Sequence, residues 1–208
     1  MRLALALLLL ALGPTARAEE PGDFDYYVLS LSWSPNWCAL EGERDDEQCE
    51  RGASFGWILH GLWPQHEDGW PSWCHASGRD PSRRETGAMA DIMGSGGLAW
   101  HAWQKHGTCS GLSAPDYFAL SREAYEAVAI PPEFEAPTRR SRVAAGDVER
   151  AFLAANPALS GDGLTVTCRD GHIQEVRICL SRELEPRRCG GDVIRDCWQQ
   201  DAVLEPVP

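Results

Sequence analysis

Residues 24 to 33, Phe-Asp-Tyr-Tyr-Val-Leu-Ser-Leu-Ser-Trp, alternate in polarity and are rich in strand formers after Asp25. A two-residue period of this kind predicts a β-strand. Residues 56 to 62 make a shorter, nearly continuous apolar run, which predicts a second and more deeply buried strand. The pattern then breaks. From roughly 64 to 87 the chain holds Pro, Gly, Ser and charge without periodicity, and a loop of that length is usually functional or tied down. Cys74 offers the tie.

Helical signals follow. One begins near Leu98 and runs to about His106, where Gly107 ends it. Another spans Pro115 to Val128, with Pro at its first position, Asp116 in its first turn and Pro131-Pro132 beyond its end. A third covers Asp147 to Ala155 and stops at Asn156-Pro157. Two short strands, Leu164 to Cys168 and Ile173 to Leu180, are joined through Arg169-Asp170-Gly171, a hairpin signal. The tail after Trp198 reads as peripheral. Strands, then helices, then strands, with no internal repeat and no linker, predict an α+β fold with a mainly antiparallel central sheet and flanking helices.

The first eighteen residues change the picture of where this domain works. Arg2, the apolar run Leu3 to Leu12 and the small-x-small sequence Ala16-Arg17-Ala18 are the parts of a secretory signal, and the run is too short to span a bilayer. Cleavage there leaves one domain, residues 19 to 208, destined for the periplasm or the medium and by default monomeric. All eight cysteines lie in that part. In an exported chain an even count predicts disulfides, and the absence of any Cys-x-x-Cys pair weakens a zinc reading.

Charge restricts the function classes. The chain carries 19 basic and 31 acidic residues, and loss of Arg2 and Arg17 with the leader takes the net charge from −12 to about −14. A protein built to package or tightly hold nucleic acid needs the opposite sign. An enzyme with a locally cationic cleft does not.

Two segments carry the candidate chemistry. His60 sits in Trp57-Ile-Leu-His60-Gly-Leu-Trp63-Pro-Gln65, and His106 in His101-Ala-Trp-Gln-Lys105-His106-Gly-Thr-Cys109. Two imidazoles from separate segments suit RNA cleavage, in which one group takes a proton from the ribose 2′-hydroxyl and another gives one to the departing 5′-oxygen. On a helix His101 and Lys105 share a face, whereas His106 lies about 140° from His101 unless the Gly107 ending reorients the last turn. A polar stripe over a buried Trp103 is the plainer reading of that helix. Trp63 is either a stacking surface for a nucleobase or simply core.

These motifs, together with Ser30-Leu-Ser-Trp33-Ser-Pro35, closely resemble the ribonuclease T2 family in order and approximate spacing. The resemblance implies the family's disulfide-stabilised fold and a metal-independent, cofactor-free endoribonuclease acting on single-stranded RNA. The products it implies are 2′,3′-cyclic phosphates. It assigns His106 as general base, His60 as general acid, Lys105 as the cation beside the phosphorane and His101 as the phosphate-binding histidine. Trp63 and Gln65 fall in the base-binding pocket. The implied disulfides are Cys74–Cys109, Cys168–Cys197 and Cys179–Cys189, which leave Cys38–Cys49.

Two positions depart from the family pattern. Ala102 stands where glutamate is usual, which predicts a slower enzyme or a carboxylate recruited from elsewhere. Gln65 stands where members preferring adenine tend to carry Asp; glutamine both donates and accepts, so base preference is open. His66 and His75, in the loop after the first motif, read as surface residues. Two other readings compete: a non-catalytic RNA-binding relative, supported by Ala102 alone, and a zinc hydrolase built on the histidines and Cys109.

Overall fold

The protein is described here by a computed structural model covering residues 20–42 and 46–208. The expected leader, residues 1 to 18, lies outside them. Six strands form one sheet in the order β2-β1-β5-β6-β3, with β4 also paired to β5. They are β1 (Tyr26–Trp33), β2 (Trp57–Gln65), β3 (Ser141–Val143), β4 (Leu164–Arg169), β5 (His172–Leu180) and β6 (Ala202–Leu204). The helices are α1 (Ser34–Leu40), α2 (Arg83–Gly87), α3 (Ala90–Met93), α4 (Gly96–Lys105), α5 (Ala114–Glu126) and α6 (Ala145–Ala155). The α+β class and the mainly antiparallel sheet therefore hold, with one parallel contact, His172 opposite Val203, between β5 and β6.

Local sequence accounts for most boundaries. Ser95 caps α4 by accepting from the Leu98 amide, and Ser113 caps α5 by accepting from Asp116. Asp170 and Gly171 both take positive φ, 47° and 79°, which closes the β4–β5 hairpin in two residues with a twist matching its strands. One face of the sheet packs against α3 to α6 in the main core, where Trp57 meets Trp33 at 5.1 Å and Phe152 edge-on at 5.4 Å. The opposite face carries a smaller apolar cluster of Tyr26, Val28, Cys179, Cys189 and Val193 at one end and an open cleft beside it.

The disulfides join Cys38 to Cys49, Cys74 to Cys109, Cys168 to Cys197 and Cys179 to Cys189, the pairs that the resemblance implies. Cys74 ties the long loop to the end of α4, and the Trp73 amide donates to the Lys105 carbonyl at 2.9 Å on the same seam. Further along that loop Asp80 accepts from the side chains of Trp103 and Gln104. The loop is also shorter than expected, because β2 continues to Gln65 and α2 starts at Arg83 with a Ser82–Glu85 capping box.

The tail after Trp198 is not peripheral. Ala202, Val203 and Leu204 are buried and pair with β3, and the side chain of Asn36 bonds the segment to the rest of the fold. Its amide nitrogen donates to the carbonyls of Ile173 and Val203 at 2.6 and 2.9 Å, and its oxygen accepts from the Glu205 amide at 2.8 Å. The Trp33 indole N–H donates to the Glu205 carbonyl. Three-residue strands such as β3 and β6 carry too little periodicity to be seen in sequence. Because Asn36 is buried and serves three backbone groups, Asn36→Ala leaves them unpaired and is expected to destabilise the fold by about 2–4 kcal/mol. Urea unfolding measures this, and a change within about 0.5 kcal/mol contradicts it.

Candidate active site

His60 reaches the cleft through a β-bulge. Ser30 on β1 pairs with Gly61 and Leu31 pairs with Leu59, so His60 is the extra residue of β2. A bulge shifts strand alternation by one and re-aims the side chain. Trp57, Leu59 and Leu62 accordingly point into the main core, while His60, Trp63 and Gln65 line the cleft. Two tyrosines of α5 hold the carbonyls on either side: Tyr117 donates to Leu62 and Tyr125 to Trp57, both at 2.9 Å. Gly61 has no substitute here, since a Cβ would sit 2.4 Å from the Trp63 indole nitrogen.

His106 arrives from the other side. Its amide still donates to the Ala102 carbonyl, but its φ and ψ of −120° and −48° leave the helix and a tight 3-10 turn, Gly107–Cys109, follows. A Cβ at Gly107 would meet Trp103 at 2.5 Å, so the absence of a side chain lets the turn close. The reoriented last turn brings His106, His101 and Lys105 to the same cleft as His60, Trp63 and Gln65. All six residues singled out for catalysis and binding thus line one cavity of about 360 Å³. His75 is exposed and His66 lies near Asp25; neither lines that cavity.

Trp63 links the two histidines. Its ring lies 5.3 Å from His60, edge to face, and 5.1 Å from His106, stacked at 22°. The Arg177 guanidinium stands 5.3 Å from the same ring. Trp73, more than half exposed, meets His101 edge-on at 5.7 Å, and exposed Trp70 lines the cleft.

The two rings differ in electrostatics. Burial, reinforced by the positive charges of Lys105, His60 and His101, pushes the pKa of His106 down to about 2. Its Nδ1 is buried with no hydrogen-bond partner among the described residues. His106 is therefore neutral across the physiological range. His101 is also lowered, by burial and then by the Lys105 and His60 charges. His60 instead touches a carboxylate. Its Nδ1 lies 2.6 Å from Glu175 Oε1, and since a carboxylate only accepts, Nδ1 carries the hydrogen and Nε2 is the nitrogen left for a substrate.

Glu175 and Arg177, on β5, were not anticipated from sequence. Burial raises the Glu175 carboxyl, but the His60 hydrogen bond and charge, with Arg177, outweigh it and hold its pKa at about 2. No local pattern marks them, since Gln-Glu-Val-Arg reads as the exposed half of an ordinary strand. Arg195 and Asp192 complete the charged lining, so a locally cationic cleft sits in an acidic protein. Among the described residues no group of three or more His, Cys, Asp or Glu side chains is placed to hold a metal ion, and Cys109 is committed to its disulfide.

The chain has known counterparts. The model of the Ribonuclease T2 family matches residues 24–189. A ribonuclease of Aeromonas hydrophila is 34% identical over 197 residues, which cover 90% of this chain and 88% of its own. Ribonuclease I of Escherichia coli strain K12 is 26% identical across 80% of this chain and 79% of its own. Among solved structures, trichomaglin, described as a novel S-like ribonuclease, matches with a TM-score of 0.70 at 19% identity, covering 89% of this chain and 100% of its own. An RNase-related protein from Calystegia sepium matches with a TM-score of 0.68 at 20% identity, covering 89% and 97%. Those two likenesses concern the fold. The family match and the Aeromonas relative concern the sequence, and by them the chain belongs to the ribonuclease T2 family.

Proposed function

We propose that this protein is an exported, metal-independent endoribonuclease that cleaves single-stranded RNA with broad base tolerance. The observation that carries the reading is the convergence of two chemically unequal imidazoles, His60 and His106, on one cavity with Lys105 beside them. His106, buried and neutral, takes the proton of the ribose 2′-hydroxyl. The freed 2′-oxygen attacks phosphorus, and a new P–O2′ bond forms as the P–O5′ bond breaks. His60 Nε2 delivers its proton to the departing 5′-oxygen. The products are a 2′,3′-cyclic phosphate and a 5′-hydroxyl, and each histidine ends in the other's starting state.

Lys105 and His101 meet the phosphate. An ammonium fixed on α4 stabilises charge that grows on the non-bridging oxygens as phosphorus becomes five-coordinate. Trp63 and Gln65, with exposed Trp70, offer a nucleobase an aromatic surface and a side chain that both donates and accepts. The substrate carries its own nucleophile, so the chemistry asks for no metal. The disulfides fit an oxidising compartment, in keeping with the leader.

His60→Phe and His106→Phe are each expected to lower kcat on a dinucleoside phosphate by about 10²–10⁴ without unfolding the protein. Wild type is expected to form the cyclic product at the same rate in excess chelator. Full activity in either variant, or loss of activity with the chelator, refutes the assignment.

The same burial has a consequence for stability. His106 binds a proton at its ordinary value of 6.5 when unfolded but only near 2 when folded, so the unfolded state takes up more protons over that interval. Glu175 acts in the same sense between its ordinary 4.5 and about 2. Stability is therefore fully present above the upper value and falls as the pH falls. Thermal unfolding should show Tm decreasing from about pH 6.5 downward, with a shallower decrease in His106→Phe. Equal slopes in wild type and variant contradict this.

A further inference from the structure

Glu175 is 2% exposed and lies under the cleft, on a strand hydrogen-bonded to a neighbour on both sides. Its two oxygens have separate partners. Oε1 accepts from His60 Nδ1 at 2.6 Å, and Oε2 accepts from Arg177 Nε and Nη2 at 2.9 and 2.6 Å. The backbone around it is also specialised. Thr167 of β4 pairs with Glu175 while Cys168 pairs with Ile173, so Gln174 is an extra residue of β5. This second bulge lets Ile173 and Val176 both enter the core while Gln174, Glu175 and Arg177 line the cleft. Meanwhile α4 presents only a methyl group at position 102.

We propose that Glu175 is the positioning residue of this active site: it clamps the His60 ring through Nδ1, aims Nε2 at the substrate and balances the positive charge of the proton donor, with Arg177 as its anchor. This rests on His60 being the general acid. Glu175 and Arg177 face His60 from β5. From α4 and its end come His101, Lys105 and His106, and the C-terminal segment adds Asp192 and Arg195 to the same cavity. Among these groups Glu175 is the carboxylate in hydrogen-bond contact with the His60 ring, so it is the one placed to balance a charged imidazole. Its placement on the sheet supplies the carboxylate that α4 lacks, although to the acid rather than to the phosphate site.

A purely structural role for the Glu175–Arg177 pair explains less. A buried ion pair adds little net stability over apolar side chains of equal size, so its presence under a cleft histidine calls for another reason. Arg177 also satisfies one carboxylate oxygen only. The other oxygen is given over to the histidine, at the same 2.6 Å as the closer arginine contact.

The test compares wild type, Glu175→Gln and Arg177→Lys on a dinucleoside phosphate, with Tm and the NMR titration of the His60 ring followed alongside. Glutamine keeps the shape and accepts from Nδ1 but carries no charge. Glu175→Gln is expected to lower kcat by about tenfold or more while KM changes by less than about threefold. The deficit should be larger at about pH 8 than at about pH 5, since an uncharged partner no longer balances the charge of the proton donor. Arg177→Lys, which keeps the carboxylate but loosens its anchor, should give a smaller loss of kcat. If Glu175→Gln retains the rate and pH profile of wild type while Tm falls, the residue is structural and the proposal is overturned. Should wild type fail to cleave RNA, the ribonuclease reading falls instead. The titration still decides the clamp then: identical curves for His60 in wild type and Glu175→Gln overturn it.

Discussion

A regular strand cannot bury Leu59 and Leu62 and also aim His60 and Trp63 at the opposite face, because side chains alternate with a period of two. The extra residue at His60 resolves that conflict, and most of the site follows from it. The bulge keeps the apolar run continuous on the core side while changing the parity of the cleft side. A second extra residue at Gln174 does the same for β5 and brings Glu175 beneath the ring of His60. β2 and β5, one on each side of β1, thereby form a floor with chemistry on one surface and packing on the other. The carbonyl anchors from Tyr117 and Tyr125 hold β2 on both sides of its irregularity, so the imidazole is presented from a rigid element.

The opposite wall is built from a helix that ends where it does for steric reasons. Gly107 lies against Trp103 and Tyr117 and cannot carry a side chain, so the chain turns there and His106 departs from helical geometry. An unbroken helix would have pointed His106 away from His101. The sequence pattern showed the glycine and the residue order but not the angle of the turn. That angle depends on what Trp103 packs against, which is a tertiary fact.

Legibility followed the length of the interactions involved. The long strands, the three longer helices, the two-residue hairpin and the convergence of His60, His101, Lys105 and His106 were readable because each rests on a local pattern or a dense motif. The β6 segment was misread as peripheral because three residues hold no periodicity and its anchor, Asn36, lies more than 160 positions away in the chain. Glu175 and Arg177 were missed for a related reason. A charged residue two places from another on a strand ordinarily marks a solvated face, and only the bulge at Gln174 and the cover of the cleft turn that face inward. Ala102 marked a position where the family pattern carries a carboxylate, but nothing in the sequence pointed to Glu175 on β5.

The acidity of the whole chain and the basicity of its cleft belong to one arrangement. With 31 acidic residues the surface repels polyanions in general, yet the cavity gathers His60, His101, Lys105, Arg177 and Arg195. Field lines concentrate in such a cavity because its walls are less polarisable than water. Burial, with the nearby cations adding to it, is what keeps His106 neutral, and neutrality is what a proton acceptor requires. The same burial makes acidification costly to the fold at the end of α4. That is where the Cys74–Cys109 disulfide, the Trp73 amide on the Lys105 carbonyl and the Gly22 amide on the Cys109 carbonyl are concentrated. The covalent and hydrogen-bonded reinforcement therefore lies within three residues of the ring whose protonation the fold resists. The helix end is kept in place by those ties under conditions in which its own charges oppose it.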